Sequence, residues 1–415
     1  MTSSWRFARR GTFWSASAVL ALCLWASGAP SVLYPVYAAE WQLPSVVTTS
    51  VFATYPVALL IVLLVFGGLS DSIGRRRAML LGIALIGVAA LVFAVAPNVG
   101  WLYAGRALQG IGTGFALGAA SAALVENNTS SNPRVASTLT TASTATGLTA
   151  ALLISGVLAQ YAPLPLTLSF GVLFVLSAVA FVAVSLTPSD TAGLGRPDWR
   201  PRALHLPGGI RMAFAAAAVS VSTAYSVGAI FLGLGSQMAR ELTGTSDLFV
   251  IGALLGVSSI VIGVTAVFLR GVPAHLSIVI GGVVSLGGLG LMAAAAATGS
   301  IVLFLAWCVV GGVGYSFAFS GGLGVINAAA PPEHRGASLS LVYLVSYLLQ
   351  AATAVGAGAL ATALGLGPAV DIAAPVVGVL AAGAIVLAAV DRRLRRSATA
   401  TASPSLSPSA VVSRP

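Results

Sequence analysis

Residues 67–77 read Gly67-Gly68-Leu69-Ser70-Asp71-Ser72-Ile73-Gly74-Arg75-Arg76-Arg77, one carboxylate followed by three guanidinium groups. The chemistry open to such a run is electrostatic. A carboxylate at a helix end can face the positive N-terminus of another helix, and Gly74 lets a short connection turn tightly. A second arginine-centred stretch, Arg106-Ala107-Leu108-Gln109-Gly110-Ile111-Gly112-Thr113-Gly114, sets a guanidinium inside an apolar run. That placement is expensive unless the charge is paired or borders a wet cavity. Arg106, Gly110, Gly114 and Gly118 recur every four residues, so they share one helix face, where small residues admit close packing.

Other chemistry is poorly supplied. His205, His275 and His334 are dispersed at loop positions, and Cys23 and Cys308 fall within apolar runs. No metal or nucleophile constellation forms, so no catalytic residue, metal or cofactor is assigned and the expectation is a protein that is not an enzyme. A nucleotide-binding Gly-x-x-x-x-Gly-Lys loop is absent and the chain has no lysine, so ATP is not expected to power this polypeptide.

The elements that position these groups follow from hydropathy. Of 415 residues 58% are hydrophobic and 7% charged, against about a quarter charged in a soluble domain. The net charge of +10 does not point to nucleic acid, because the arginines lie between apolar runs and not along one face. Twelve apolar runs cover 12–37, 47–70, 77–96, 100–125, 135–160, 165–187, 208–236, 246–269, 275–297, 300–328, 337–362 and 369–390. Each matches the thickness of a bilayer's hydrocarbon core and lacks the alternation of barrel strands, so each is expected to be a transmembrane helix. The opening run, with Arg6, Arg9 and Arg10 before it and Ala26-Ser27-Gly28-Ala29 within it, also fits a cleavable leader. Its apolar character continues to Tyr37, which favours a first span.

Counting alternate sides from a cytoplasmic N-terminus, every one of the 20 arginines except Arg106 and Arg240 falls inside. That asymmetry predicts a multi-pass protein of the inner (cytoplasmic) cell membrane with both termini cytoplasmic. Residues 188–207, rich in proline and charge, separate six runs from six. The expected domains are an N-terminal six-helix bundle at 1–187, a cytoplasmic linker at 188–207, a C-terminal six-helix bundle at 208–391, and a disordered tail at 392–415 too polar to bury its chain. The fold class is all-α, two six-helix bundles with pseudo-twofold symmetry.

The 67–77 run resembles the signature loop of the major facilitator superfamily, Gly-x-Leu-x-Asp-Arg-x-Gly-Arg-Arg, with Ser72 where the family has a basic residue. The stretch from Arg106 to Gly110 is similar to the family's Arg-x-x-Gln-Gly motif. The resemblance implies a solute site at mid-membrane between the bundles. It implies a conformational switch in Gly67, Asp71, Gly74, Arg75, Arg76 and Glu126, with Asp71 latching against the eleventh helix near Arg335-Gly336 and Glu126 pairing with the loop arginines. It also implies a coupling role for Arg106 and Gln109, toward a proton or a solute anion; snorkelling of Arg106 to the outer headgroups stays open. The Gly-Pro pair that marks many proton-linked drug antiporters is missing from the fifth run, which reads Thr146-Gly147-Leu148-Thr149-Ala150-Ala151.

By the same resemblance the first, fourth, seventh and tenth helices line the cavity. Candidate solute contacts there are Trp25, Tyr34 and Tyr37, then Ser222, Tyr225 and Ser226, then Tyr315, Ser316, Ser320 and Asn327. The eleventh helix adds Tyr343, Tyr347 and Gln350 on one face. No acidic residue lies deep in those four lining helices, which favours neutral or anionic solutes over organic cations. Asp371 or Glu40, working with Arg106, is the expected protonatable group. The expected function is proton-coupled secondary transport of small organic solutes by alternating access, with efflux of drugs or metabolites placed ahead of uptake of a sugar or organic acid. A receptor or scaffold is the reading from another class. The expected partners are a small solute, a proton and the bilayer, not nucleic acid, and the chain is expected to be a monomer.

Overall fold

Apolar side chains on every side of a run leave its backbone one way to pair N–H with C=O in lipid, inside the run itself. The computed structural model describes residues 9–66, 69–130, 134–188, 206–331 and 334–401, and among these it contains helices and no strand. The first six long helices are α1 (Arg9–Glu40), α2 (Ser45–Phe66), α3 (Arg75–Ala94), α4 (Val99–Glu126), α5 (Arg134–Tyr161) and α6 (Pro165–Ser185). The second six are α7 (Arg211–Thr243), α8 (Leu248–Phe268), α9 (Ala274–Thr298), α10 (Ile301–Ala329), α11 (Arg335–Leu364) and α12 (Leu366–Thr401). All 12 are long and apolar enough to cross a membrane. With an even number of spans, both ends of the described chain lie at one face, here called the terminal face.

The packing repeats. In the first half α1 lies against α4, α5 and α6, α2 against α4, and α3 against α4 and α6. Adding six to each number gives the second half: α7 against α10, α11 and α12, α8 against α10, and α9 against α10 and α12. The two seams between the halves, α2 with α11 and α5 with α8, also exchange under this operation. The architecture is therefore two six-helix sets with pseudo-twofold symmetry.

Small residues set the spacing. A β-carbon on Gly82 would collide with the carbonyl oxygen of Gly112 between α3 and α4, and one on Gly281 with the backbone nitrogen of Ala318 between α9 and α10. The same device recurs across the seams, at Gly252 against the Leu152 carbonyl and at Gly358 against the Thr49 hydroxyl. Without a hydrophobic force between helices in lipid, such approach is what gives packing its strength.

The second run, expected to reach 70, is helical to Phe66 and again over Leu69–Ile73, and residues 67 and 68 lie outside the described residues. Two boundaries differ from expectation. His275, expected in a loop, is the second residue of α9. The tail expected to lack structure from 392 is helical as far as Thr401. Good helix formers and an i,i+4 ion pair explain this extension: the Arg395 Nε lies 2.8 Å from Asp391 Oδ2. The same carboxylate oxygen lies 2.7 Å from His275 Nε2, which ties α12 to the start of α9. Residues 402–415 and linker positions 189–205 lie outside the described residues.

Candidate functional site

Arg106 sits about 10 Å along α4 from its start, a start fixed by the Asn98 side chain accepting from the Gly100 N–H at 3.0 Å. It is fully buried, at 0% exposure. Its Nε donates to the Tyr34 hydroxyl at 2.8 Å and a terminal nitrogen donates to that same oxygen. The other terminal nitrogen donates to the Ser27 carbonyl at 3.0 Å and to Gln109 Oε1 at 3.2 Å. The rings of Tyr34, Phe52 and Tyr55 surround the guanidinium at 5.5, 5.8 and 5.7 Å. The charge is thus held by neutral oxygens and π faces, which attract a desolvated cation. Snorkelling to the headgroups does not occur, because the side chain is satisfied where it stands. The expected pairing with Glu40 or Asp371 is not formed: both are exposed, and the hydrogen bonds of Arg106 end on Tyr34, Ser27 and Gln109.

The glycines of α4 behave as their spacing required at two positions. A β-carbon on Gly110 would strike the Tyr55 carbonyl and one on Gly114 would come within 2.7 Å of Val62, so this face packs on α2; Gly118 has open space. That approach brings Phe52 and Tyr55 over Arg106.

Across the molecule Tyr225 of α7, Tyr315 of α10 and Tyr347 of α11 gather into one cluster. The ring of Tyr225 stands 4.8 Å from Tyr347 and 6.5 Å from Tyr315, and Tyr343 stacks on Tyr347 at 6.1 Å. Phe319, not singled out in the sequence, completes it at 5.8 Å from Tyr225. Ser222 donates to Ser346 at 3.3 Å and Thr353 to Ser226 at 3.0 Å, fastening α7 to α11 beneath the rings. Ser316 is spent on the Ile262 carbonyl at 2.7 Å. Tyr347 lies on α11, which packs against α2, the helix of Tyr55, so the cluster and the arginine cage border the same seam. Trp25 Nε1, the Tyr37 hydroxyl, Gln109 Nε2 and Gln350 Oε1 are buried without a hydrogen-bond partner among the described residues. Asn327 is exposed near the terminal end of α10 and does not join the cluster.

In the signature run, Gly67 lies outside the described residues, and Asp71 is placed by its backbone on the turn Leu69–Ile73. Gly74 has φ +93° and ψ 148°, a backbone region that is essentially reserved for glycine. Arg75 donates to Ser70 at 2.6 Å and pairs with Glu126 at 3.3 Å, the partner expected for it. Arg76 donates to the Val184 carbonyl at 3.3 Å and to the Ser185 carbonyl, capping the negative end of α6. Arg9 donates to the Glu126 carbonyl at 2.8 Å. These arginines knit the terminal ends of α1, α3, α4 and α6 together.

At the opposite face a cavity of about 560 Å³ opens between α1, α2 and α7. Tyr34, Ser45, Gln237, Arg240 and Glu241 are among its lining residues. Ser45 donates to Gln237 Oε1 at 3.0 Å, and Gln237 Nε2 donates to Glu241 Oε1 at 2.9 Å. This chain crosses from one half to the other.

Two pseudo-symmetric helix sets in a membrane, meeting over a buried cationic cage and an aromatic cluster, define a multi-pass transporter. The family model for the Major Facilitator Superfamily matches residues 15–280, and the chain belongs to that family. A stretch of 79 residues is 42% identical to the puromycin resistance protein pur8 of Streptomyces alboniger, covering 19% of this chain and 15% of that protein. Among solved structures, the chain superposes on a bacterial homolog of the human lysosomal transporter Spinster, in an inward-facing and unoccupied conformation, with a TM-score of 0.73 at 13% identity, covering 94% of this chain and 98% of that one. It superposes on the POT family transporter PepTSo with a TM-score of 0.74 at 14% identity, covering 95% and 99%. These two likenesses are of fold.

Proposed function

We propose that this transporter works by alternating access and exports small organic solutes in exchange for protons. The observation that carries the reading is the pair of seams. Gly252 and Gly358 let α8 and α11 lie directly on the other half, and among the described residues hydrogen bonds join the halves at helix ends on the face opposite the termini. Val46 N–H donates to Thr362 at 2.9 Å and Leu248 N–H to Gln160 at 2.9 Å. Two close-packed seams with hydrogen bonds at helix ends suit halves that rock about a central site.

Energy from a gradient is supported by the missing nucleotide loop. Arginine does not release its proton in proteins, so Arg106 serves coupling by setting the potential at Tyr34 while another group carries the proton. Tyr225, Tyr315, Tyr343, Tyr347, Gln350 and Trp25 supply the solute site, where rings with polar tips suit drug-like or metabolic compounds. Export draws support from the stretch shared with the puromycin resistance protein. Asp71 acts as the latch toward the start of α11, with Gly74, Arg75, Arg76 and Glu126 holding its turn in place. The arginine asymmetry supports cytoplasmic termini in the inner membrane, and the chain functions as a monomer.

The test is reconstitution in vesicles that hold a pH dye, challenged with sugars, organic acids and lipophilic drugs, for wild type and Arg106→Ala. Solute-dependent proton flux that disappears in the variant supports the reading. Solute movement without proton movement removes the coupling, and no solute movement across the panel removes the carrier.

A further inference from the structure

Arg106 and Arg240 are the two arginines that depart from the one-sided distribution of the other arginines, and both bear on the cavity between α1, α2 and α7. Arg240 lines it directly and is exposed; among the described residues it has no ion pair or hydrogen bond. Arg106 stands behind the wall, joined to the lining residue Tyr34 through that residue's hydroxyl. Glu241 lines the same cavity and is exposed, one oxygen taken by the Gln237 amide and the other without a hydrogen bond among the described residues. Neighbouring residues on a helix do not face one another, so Arg240 and Glu241 do not neutralise each other. They present a separated positive and negative group to one cavity.

We propose that this cavity is a binding site for a small zwitterion at the face opposite the termini, with the solute carboxylate on Arg240 and its amine on Glu241. An unpaired guanidinium favours a carboxylate through two parallel hydrogen bonds. A lone anion would meet Glu241 and a lone cation Arg240, so each fits one group and is repelled by the other. The Ser45–Gln237–Glu241 chain links α2 to α7, so an amine that draws Glu241 away loosens a fastening between the halves. This names the solute class for the transporter reading above and rests on it.

The experiment is calorimetric titration of the full chain in lipid nanodiscs with leucine, glutamine and phenylalanine, each as the free amino acid, the N-acetyl derivative and the carboxamide. The expected result is binding of at least one free amino acid, weakened about tenfold or more by either modification, the scale of one charge-assisted contact. Arg240→Gln should abolish the penalty for the carboxamide and Glu241→Gln the penalty for the N-acetyl form. Loss of a helix-end charge that merely steadies α7 would lower stability without changing this preference. Absence of binding with every probe, or variants that keep the wild-type preference, overturns the site. Solute-dependent proton flux in vesicles separates the two readings. Flux without zwitterion binding sinks this site alone, and binding without flux sinks the transporter.

Discussion

The hydroxyl of Tyr34 receives two donors from the Arg106 guanidinium, one through Nε at 2.8 Å and a shorter one through a terminal nitrogen, and among the described residues no carboxylate shares the load. Tyr34→Phe removes that oxygen and leaves two buried donors unmet, a loss of about 1–3 kcal/mol. The expected outcome is a lower midpoint in denaturant titration of the detergent-solubilised protein. A midpoint equal to wild type would mean that water or another group satisfies Arg106 without cost.

The close approach of α8 to the Leu152 carbonyl depends on Gly252. Gly252→Leu should wedge the α5–α8 seam open at the face opposite the termini. Spin labels at Trp101→Cys and Val302→Cys, both exposed in the wild type near the starts of α4 and α10, would report a longer distance by pulsed electron resonance. Cys23 and Cys308 are buried, which keeps background labelling low. An unchanged distance distribution would show that the seam does not limit separation of the halves.

Gly74 carries the positive φ on which the connection from the Leu69–Ile73 turn to α3 depends. Gly74→Ala should cost about 1–3 kcal/mol in backbone strain. Denaturant titration measures it, and a neutral result would show that the turn re-forms with another dihedral.

Glu126→Gln should do far less. The Glu126 side chain is 52% exposed, its partner Arg75 keeps Ser70, and the Arg9 contact uses the main-chain carbonyl that the substitution preserves. A surface pair of this kind contributes about 1 kcal/mol or less and is screened by salt. A stability loss that persists in high salt would contradict this and point to a coupled network.

The twelve spans were readable because lipid forces each backbone to satisfy itself locally, so hydropathy along the chain carries nearly the whole assignment. The Arg75–Glu126 pair could be anticipated from the family loop, and the packing of Gly110 and Gly114 from four-residue spacing. Partners distant in sequence could not. Nothing in the neighbourhood of Arg106 in the chain announces Tyr34, Phe52 or Tyr55, and burial by neutral groups defeats a search for a carboxylate. Asn327 shares α10 with Tyr315, yet its place near the terminal end separates it from the rings. Polarity marks a candidate ligand; depth along the helix decides whether it reaches the site. The end of α12 differs for the opposite reason: as far as Thr401, helix propensity and the Asp391 contacts outweigh polar composition.

That last helix has a mechanical consequence. Its 36 residues extend about 54 Å, against about 30 Å of hydrocarbon to be crossed. The bond from Asp391 to His275 anchors it at the terminal face, and the turns beyond stand clear as a short mast. A fluorescent reporter joined beyond these turns would sit on the terminal side, far from the cavity at the opposite face.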